Sequence, residues 1–174
     1  MKAAVLLRAV NVGGRQLAMA DFKAALAELG YPGAATLGAA GSAVVEAQAA
    51  PSEAELEQGL SKALGPLEVF VRSGAQLKAV LAANPFAEMA KADPAHLLVV
   101  FLKGQPSAAG VAALQGRIVG RETVAAGPGC LYAGYPDGVG RSKLTMAVVE
   151  RALGLRGTAR NWNTVGKLTE LLGD

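Results

Sequence analysis

The residues best suited to chemistry lie in YPDGVGRSKLT, positions 135–145. Pro136, Asp137 and Gly138 are turn formers, and after Gly140 the chain sets two cations, Arg141 and Lys143, among two hydroxyls, Ser142 and Thr145. Glycines let backbone N–H groups converge, and a helix N-terminus leaves such donors unsatisfied. At the start of a helix this pattern suits a phosphate or carboxylate, neutralised by Arg141 and Lys143 and oriented by Ser142 or Thr145. It is not a Walker A loop: that motif needs GxxxxGK[ST], and Gly140 opens GRSKLT instead. The same residues also fit a hairpin end followed by a Ser-capped helix with solvent-facing basic side chains.

Two further segments carry candidate ligand contacts. LLRAVNVGG, positions 6–14, holds Arg8 inside an apolar run, where its charge must reach solvent, a carboxylate or an anion. Asn11 adds a donor and an acceptor, and Gly13 and Gly14 permit close approach. Near the other end, TARNWNTVGKL offers Arg160 and Trp162, with Asn163 as an expected helix cap. For Arg8 the alternative is an internal ion pair, and for Trp162 it is core packing. His96 stands alone, without the HxH or HExxH spacing of a metal site. Cys130 lacks a CxxC partner and reads as a small core residue. No cofactor motif is present, and no general base is convincing, since Asp137 in its PDG setting is better explained as a turn residue.

The elements that must hold these residues follow from periodicity. AAVLLRAV, 3–10, is a strand, and Phe22, Ala25, Leu26 and Leu29 repeat at helical spacing before Gly30 and Pro32. Two short strands fit 34–39 and 42–47. Ser52 with Glu55 forms a capping box for a helix carrying Leu56, Leu60 and Leu64, and LEVFV, 67–71, is a strand. That order is β-α-β-β-α-β. Ser73 and Gln76 cap a connector helix. A second cycle then runs through a strand at 96–103, a helix at 107–114, strands near 117–124 and 130–135, a helix from Arg141 or Ser142 to Leu153, a strand at 158–160 and a last helix at 163–172. The expectation is an α+β protein of two ferredoxin-like subdomains, 1–72 and 96–174, joined by a helical connector at 73–95.

The 174 residues, 52% of them apolar, are enough to bury a core without metal or disulfide, and the single cysteine excludes an intramolecular bridge. With no signal-like or membrane-spanning apolar run, a cytoplasmic location without membrane partners is expected. The formal charge is only +3, but Arg141, Lys143, Arg151, Arg156, Arg160 and Lys167 face only Glu150 within 141–167. A basic tract of that kind suits a local anionic partner.

The chain resembles the DUF1697 family of uncharacterised bacterial proteins. The likeness is carried by LLRAVNVGG with MADFKAALAELGY, AAGSAVVEA, VRSGAQLKAVLAANPF, and YPDGVGRSKLT with TARNWNTVGKLTELL. The resemblance implies two ferredoxin-like subdomains and no established activity. Arg8, Asn11, Gly13, Gly14, Gly140, Arg141, Ser142, Lys143, Leu144, Thr145, Arg160, Asn161 and Trp162 fit its pattern. Where the family carries Arg-Gly-Ile-Asn this chain has Arg8, Ala9, Val10 and Asn11. Where it carries Gln-Ser-Gly-Asn the chain has Ala39, Ala40, Gly41 and Ser42, a loss of two amides that weakens any polar role for that hairpin.

Three functional readings follow. The first is binding of a small anionic or phosphate-bearing ligand through the two glycine segments, with Arg8, Arg141 and Lys143 as clamps if the protein is an enzyme. The second is nucleic-acid binding through Arg151, Arg156, Arg160 and Lys167, although the strands lack the aromatic platform of RNA-binding sheets. The third is a structural or protein-interaction module.

Overall fold

The computed structural model describes residues 1–8, 16–49 and 51–173. Asn11, Gly13 and Gly14 lie outside the described residues. The chain divides into two compact units, Met1–Leu77 with Lys167–Asp174, and Lys78–Gly166.

The first unit runs β1 (Lys2–Arg8), α1 (Met19–Glu28), β2 (Ala35–Leu37), β3 (Ser42–Glu46), α2 (Glu53–Leu64) and β4 (Glu68–Ser73). Its antiparallel sheet has the order β2-β3-β1-β4, the ferredoxin-like arrangement. Ala3, Val5 and Leu7 of β1 pack with Phe22, Leu26, Leu56 and Leu60 of the two helices. Ala4 and Leu6, on the opposite face, are equally excluded from solvent. Burial on both faces is why β1 reads as a continuous apolar run instead of alternating. Ser52 caps α2 through the Glu55 N–H. One turn apart on that helix, Glu53 and Glu57 accept from the Val71 and Val69 N–H groups of edge strand β4. Two carboxylates thus occupy donors that an edge strand would otherwise leave open.

After β4 come α3 (Gly74–Ala82) and α4 (Ala87–Ala92), which fill the expected connector 73–95 together with a 3-10 turn, Pro94–His96. The Ser73 and Gln76 capping box is reciprocal, each side chain bonding the other's backbone N–H.

The second unit continues with β5 (Leu97–Leu102), α5 (Ala108–Gln115), β6 (Thr123–Gly127), β7 (Cys130–Gly134), α6 (Met146–Leu153) and β8 (Gly157–Asn161), and α7 (Trp162–Leu172) follows. The sheet order β6-β7-β5-β8 repeats the first unit's topology. Val100 and Leu102 of β5 join Val111, Leu114, Leu131, Ala133 and Val149 in its core.

Three expectations need correction. Residues 117–122 form a loop and not the start of a strand: Ile118 is drawn down onto the core, while Val119 beside Gly120 is 74% exposed. The sixth helix begins at Met146 and not at Arg141 or Ser142: the chain turns at Arg141 and bends at Lys143, Leu144 is buried, and the extended Thr145 then caps the helix by accepting from the Val148 N–H. The cap of the last helix is Asn161, which accepts from the Thr164 N–H, and not the exposed Asn163.

Candidate functional site

The loop that leaves β7 is pinned at both ends. Tyr135, buried just past the strand, donates its hydroxyl to the Leu144 carbonyl at 2.9 Å. Within the loop, the Gly138 N–H bonds the Tyr135 carbonyl and the Ser142 N–H bonds the Val139 carbonyl. Gly138 adopts φ +92°, a backbone region that favours glycine. Burial, with the charge of Glu122 as a lesser cause, pushes the Tyr135 phenol up to about 12.

The 117–122 loop lies against this one and is stitched to it twice. Ser142 Oγ donates to Glu122 Oε1 at 2.6 Å and accepts from the Leu144 N–H at 3.0 Å. Arg121 grips Asp137 bidentately, Nε to Oδ2 at 3.0 Å and NH2 to Oδ1. The Ser142 hydrogen bond, helped by backbone N–H groups, holds the Glu122 carboxyl below its ordinary value. The hydrogen bond from Arg121 does the same for Asp137. Glu122 Oε2 is shut off from solvent and, among the described residues, has no hydrogen-bond partner. It rests where a Cβ on residue 120 would come within 2.6 Å, so only glycine at 120 leaves the carboxylate where it lies.

Between the loops is a cavity of about 230 Å³, walled by Val119, Gly120, Glu122, Tyr135, Asp137, Gly138, Arg141, Ser142 and Lys143. All of these belong to the second unit. Arg141 and Lys143 are exposed, and among the described residues neither makes a hydrogen bond or an ion pair. The two acids in the wall are engaged, Glu122 by Ser142 and Asp137 by Arg121. With Asp137 matched to Arg121, the wall keeps two cations, Arg141 and Lys143, against the one carboxylate of Glu122.

Of the sequence-selected residues, the structure brings Arg141, Ser142 and Lys143 to this cavity. Gly140 is in the same loop without forming its wall, and Thr145 is occupied as a helix cap. Arg8 ion-pairs Glu68 across β1 and β4 at 2.9 Å. Arg160 is 5% exposed and donates to Thr158 Oγ1 and the Ala159 carbonyl, and its burial lowers the guanidinium to about 10. Trp162 is half-buried at the start of α7, outside the cavity wall. Glu122 and Tyr135 escaped the sequence reading. The usable signal was Glu122 as the lone acid between Asp93 and Asp137, two residues after Gly120.

Elsewhere, Cys130 is buried in β7, and His96 pairs with Asp93 at 2.8 Å. Among the described residues no His, Cys, Asp and Glu cluster could hold a metal ion, and no helix is long and apolar enough to cross a membrane.

A search of curated proteins finds no match. Among solved structures the chain is similar to the conserved bacterial protein SP0830 from Streptococcus pneumoniae, with a TM-score of 0.69 over 99% of this chain and 98% of that one. At 18% identity the likeness is one of fold. The family model described as Protein of unknown function (DUF1697) matches residues 1–132, a span that takes in the 117–122 loop and ends before Tyr135, and the chain belongs to that family.

Proposed function

We propose that this protein binds a small anionic ligand in the cavity between the 117–122 and 135–145 loops, with Arg141 and Lys143 supplying the charge. The observation that carries this reading is an imbalance of charge: Asp137 is paired with Arg121, so Arg141 and Lys143 outnumber the one remaining acid, Glu122, and among the described residues neither cation makes a hydrogen bond or an ion pair. An anion placed between them gains charge-assisted hydrogen bonds without displacing an existing pair. Ser142 serves the site indirectly, because its hydroxyl already holds the loop to Glu122 and to the Leu144 N–H. Arg8 has no part in this reading, since it is matched to Glu68.

Isothermal titration of the wild type and of an Arg141→Ala, Lys143→Ala variant with inorganic phosphate and acetate tests the reading. The double variant should bind about tenfold or more weakly, the loss expected for removing hydrogen bonds to a charged group. Added salt should weaken the wild type in the same direction. Equal affinities in the two proteins would exclude this cavity as the anion site.

A further inference from the structure

Beside the charged cavity lies a second, mostly apolar hollow of about 420 Å³, bounded by residues 85–89, which include Phe86, Glu88 and Met89, and by Arg121, Thr123 and Pro136. It belongs to the same unit. The two hollows share a partition made of two dipeptides. In Arg121-Glu122 and in Pro136-Asp137 the first residue walls the apolar hollow and the second walls the charged cavity. The only side-chain bridge across this partition among the described residues is the Arg121–Asp137 pair, with its side chains 71% and 62% exposed. An ion pair so open to water is weakly held, and a ligand can lie across it or part it at small cost.

We propose that the ligand is an amphipathic acid, with its anionic head between Arg141 and Lys143 and its apolar body over the Arg121–Asp137 bridge in the Phe86–Met89–Pro136 hollow. This rests on the anion-site reading and adds the part of the ligand that reading leaves undefined. Three observations support it. Arg141 and Lys143 outnumber Glu122, the one acid of the wall that no cation matches, and so favour an acid over an amine. The neighbouring hollow is mostly apolar, through Phe86, Met89 and the two prolines, and with Arg121 paired its remaining charge is the Glu88 carboxylate, which disfavours an anionic head there and leaves it to Arg141 and Lys143. Half-buried Met89 is an adaptable wall, able to settle against bodies of different shape. Adjoining apolar and charged hollows of this size together match the usual dimensions of a small-molecule site, roughly 300–1,000 Å³.

The test is a chain-length series titrated calorimetrically: acetate, butyrate, hexanoate and octanoate, with 3-phenylpropionate as the aryl arm and inorganic phosphate as the head-only control. Each buried methylene should tighten binding about threefold to fourfold, so octanoate should exceed acetate by a large factor. Filling the hollow from its exposed rim with Ala87→Trp, or charging it with Ala87→Glu, should erase the chain-length gain while leaving phosphate and acetate affinity unchanged. Two variants of opposite character guard against a folding failure in either. Flat affinity along the series, with the Arg141→Ala, Lys143→Ala effect intact, overturns the amphipathic ligand and keeps the anion site. A chain-length gain that survives both Ala87 variants places the body elsewhere and also overturns the proposal. Affinities untouched by the double variant remove the anion site and this proposal with it.

Discussion

The Glu122 carboxylate and the Ser142 hydroxyl, 20 positions apart in the chain, meet at 2.6 Å and tie the two loops of the cavity together. Because that hydroxyl also accepts from the Leu144 N–H, one serine sets both the position of the acid and the shape of the loop carrying Arg141 and Lys143.

The Glu122 and Asp137 carboxyls are both held low in the folded chain, by Ser142 and by Arg121 respectively. A carboxyl depressed on folding contributes stability that is present above its unfolded value and is lost as pH falls through the folded one. The urea midpoint should therefore decline as pH drops below the ordinary carboxylate values, 4.5 for Glu and 3.8 for Asp. Ser142→Ala should show a shallower decline, having already lost the bond that depresses Glu122. Parallel curves for the two proteins would show that this bond contributes nothing in solution.

Tyr135→Phe removes the latch between the two ends of the cavity loop and leaves the buried Leu144 carbonyl without that donor. A loss of about 1–2 kcal/mol in global stability is expected. Amide exchange should quicken first at Gly138 and Ser142, whose turn bonds depend on the closed loop. Unchanged exchange at both would mean that the turns hold the loop unaided.

Arg8 and Glu68 face each other in the β1–β4 register with their side chains about one fifth exposed. Arg8→Ala should cost about 1 kcal/mol in urea unfolding, the scale of a cross-strand charge pair. Phosphate affinity should not change. A fall in affinity would return Arg8 to the ligand site.

At Gly127 a Cβ would stand 2.3 Å from the Tyr132 ring and 2.8 Å from the Cys130 sulfur. Tyr132 cannot swing away, because it is fully buried and its hydroxyl bonds the Val80 carbonyl at 2.5 Å. Gly127→Ala should therefore destabilise by about 1–3 kcal/mol through overpacking. Gly129→Ala, at φ +63° with open space around it, should be limited to backbone strain. Comparing the two urea midpoints separates crowding from conformation.

Much of the scaffold was legible because its signals are local. Ser52 with Glu55 and Ser73 with Gln76 announce helix starts through side chains that reach only three residues along the chain. The apolar run of β1 marks a strand covered on both faces. The site was harder to read because long-range burial decides it. Nothing adjacent to Arg141 shows that Leu144 will be held under Tyr135, and that contact delays the helix to Met146. Likewise Arg117, Ile118 and Val119 have strand-like composition, yet only Ile118 finds the core and the segment becomes a cavity wall. Arg8 was noticed for its charge, but its partner, Glu68, follows from the β1–β4 register, which sequence spacing does not reveal.

The first compact unit is discontinuous, taking residues 1–77 and then 167–174 after the whole of the second has intervened. Leu172 lies beside Gly74, and Leu171 shares a hollow with Lys2 and Val44. During synthesis the second unit is therefore complete in sequence before the first one is. A chain ending at residue 166 would hold the whole of the second unit beside an early unit still waiting for its last piece, and a chaperone binding at that stage would meet the N-terminal part as the unfinished one.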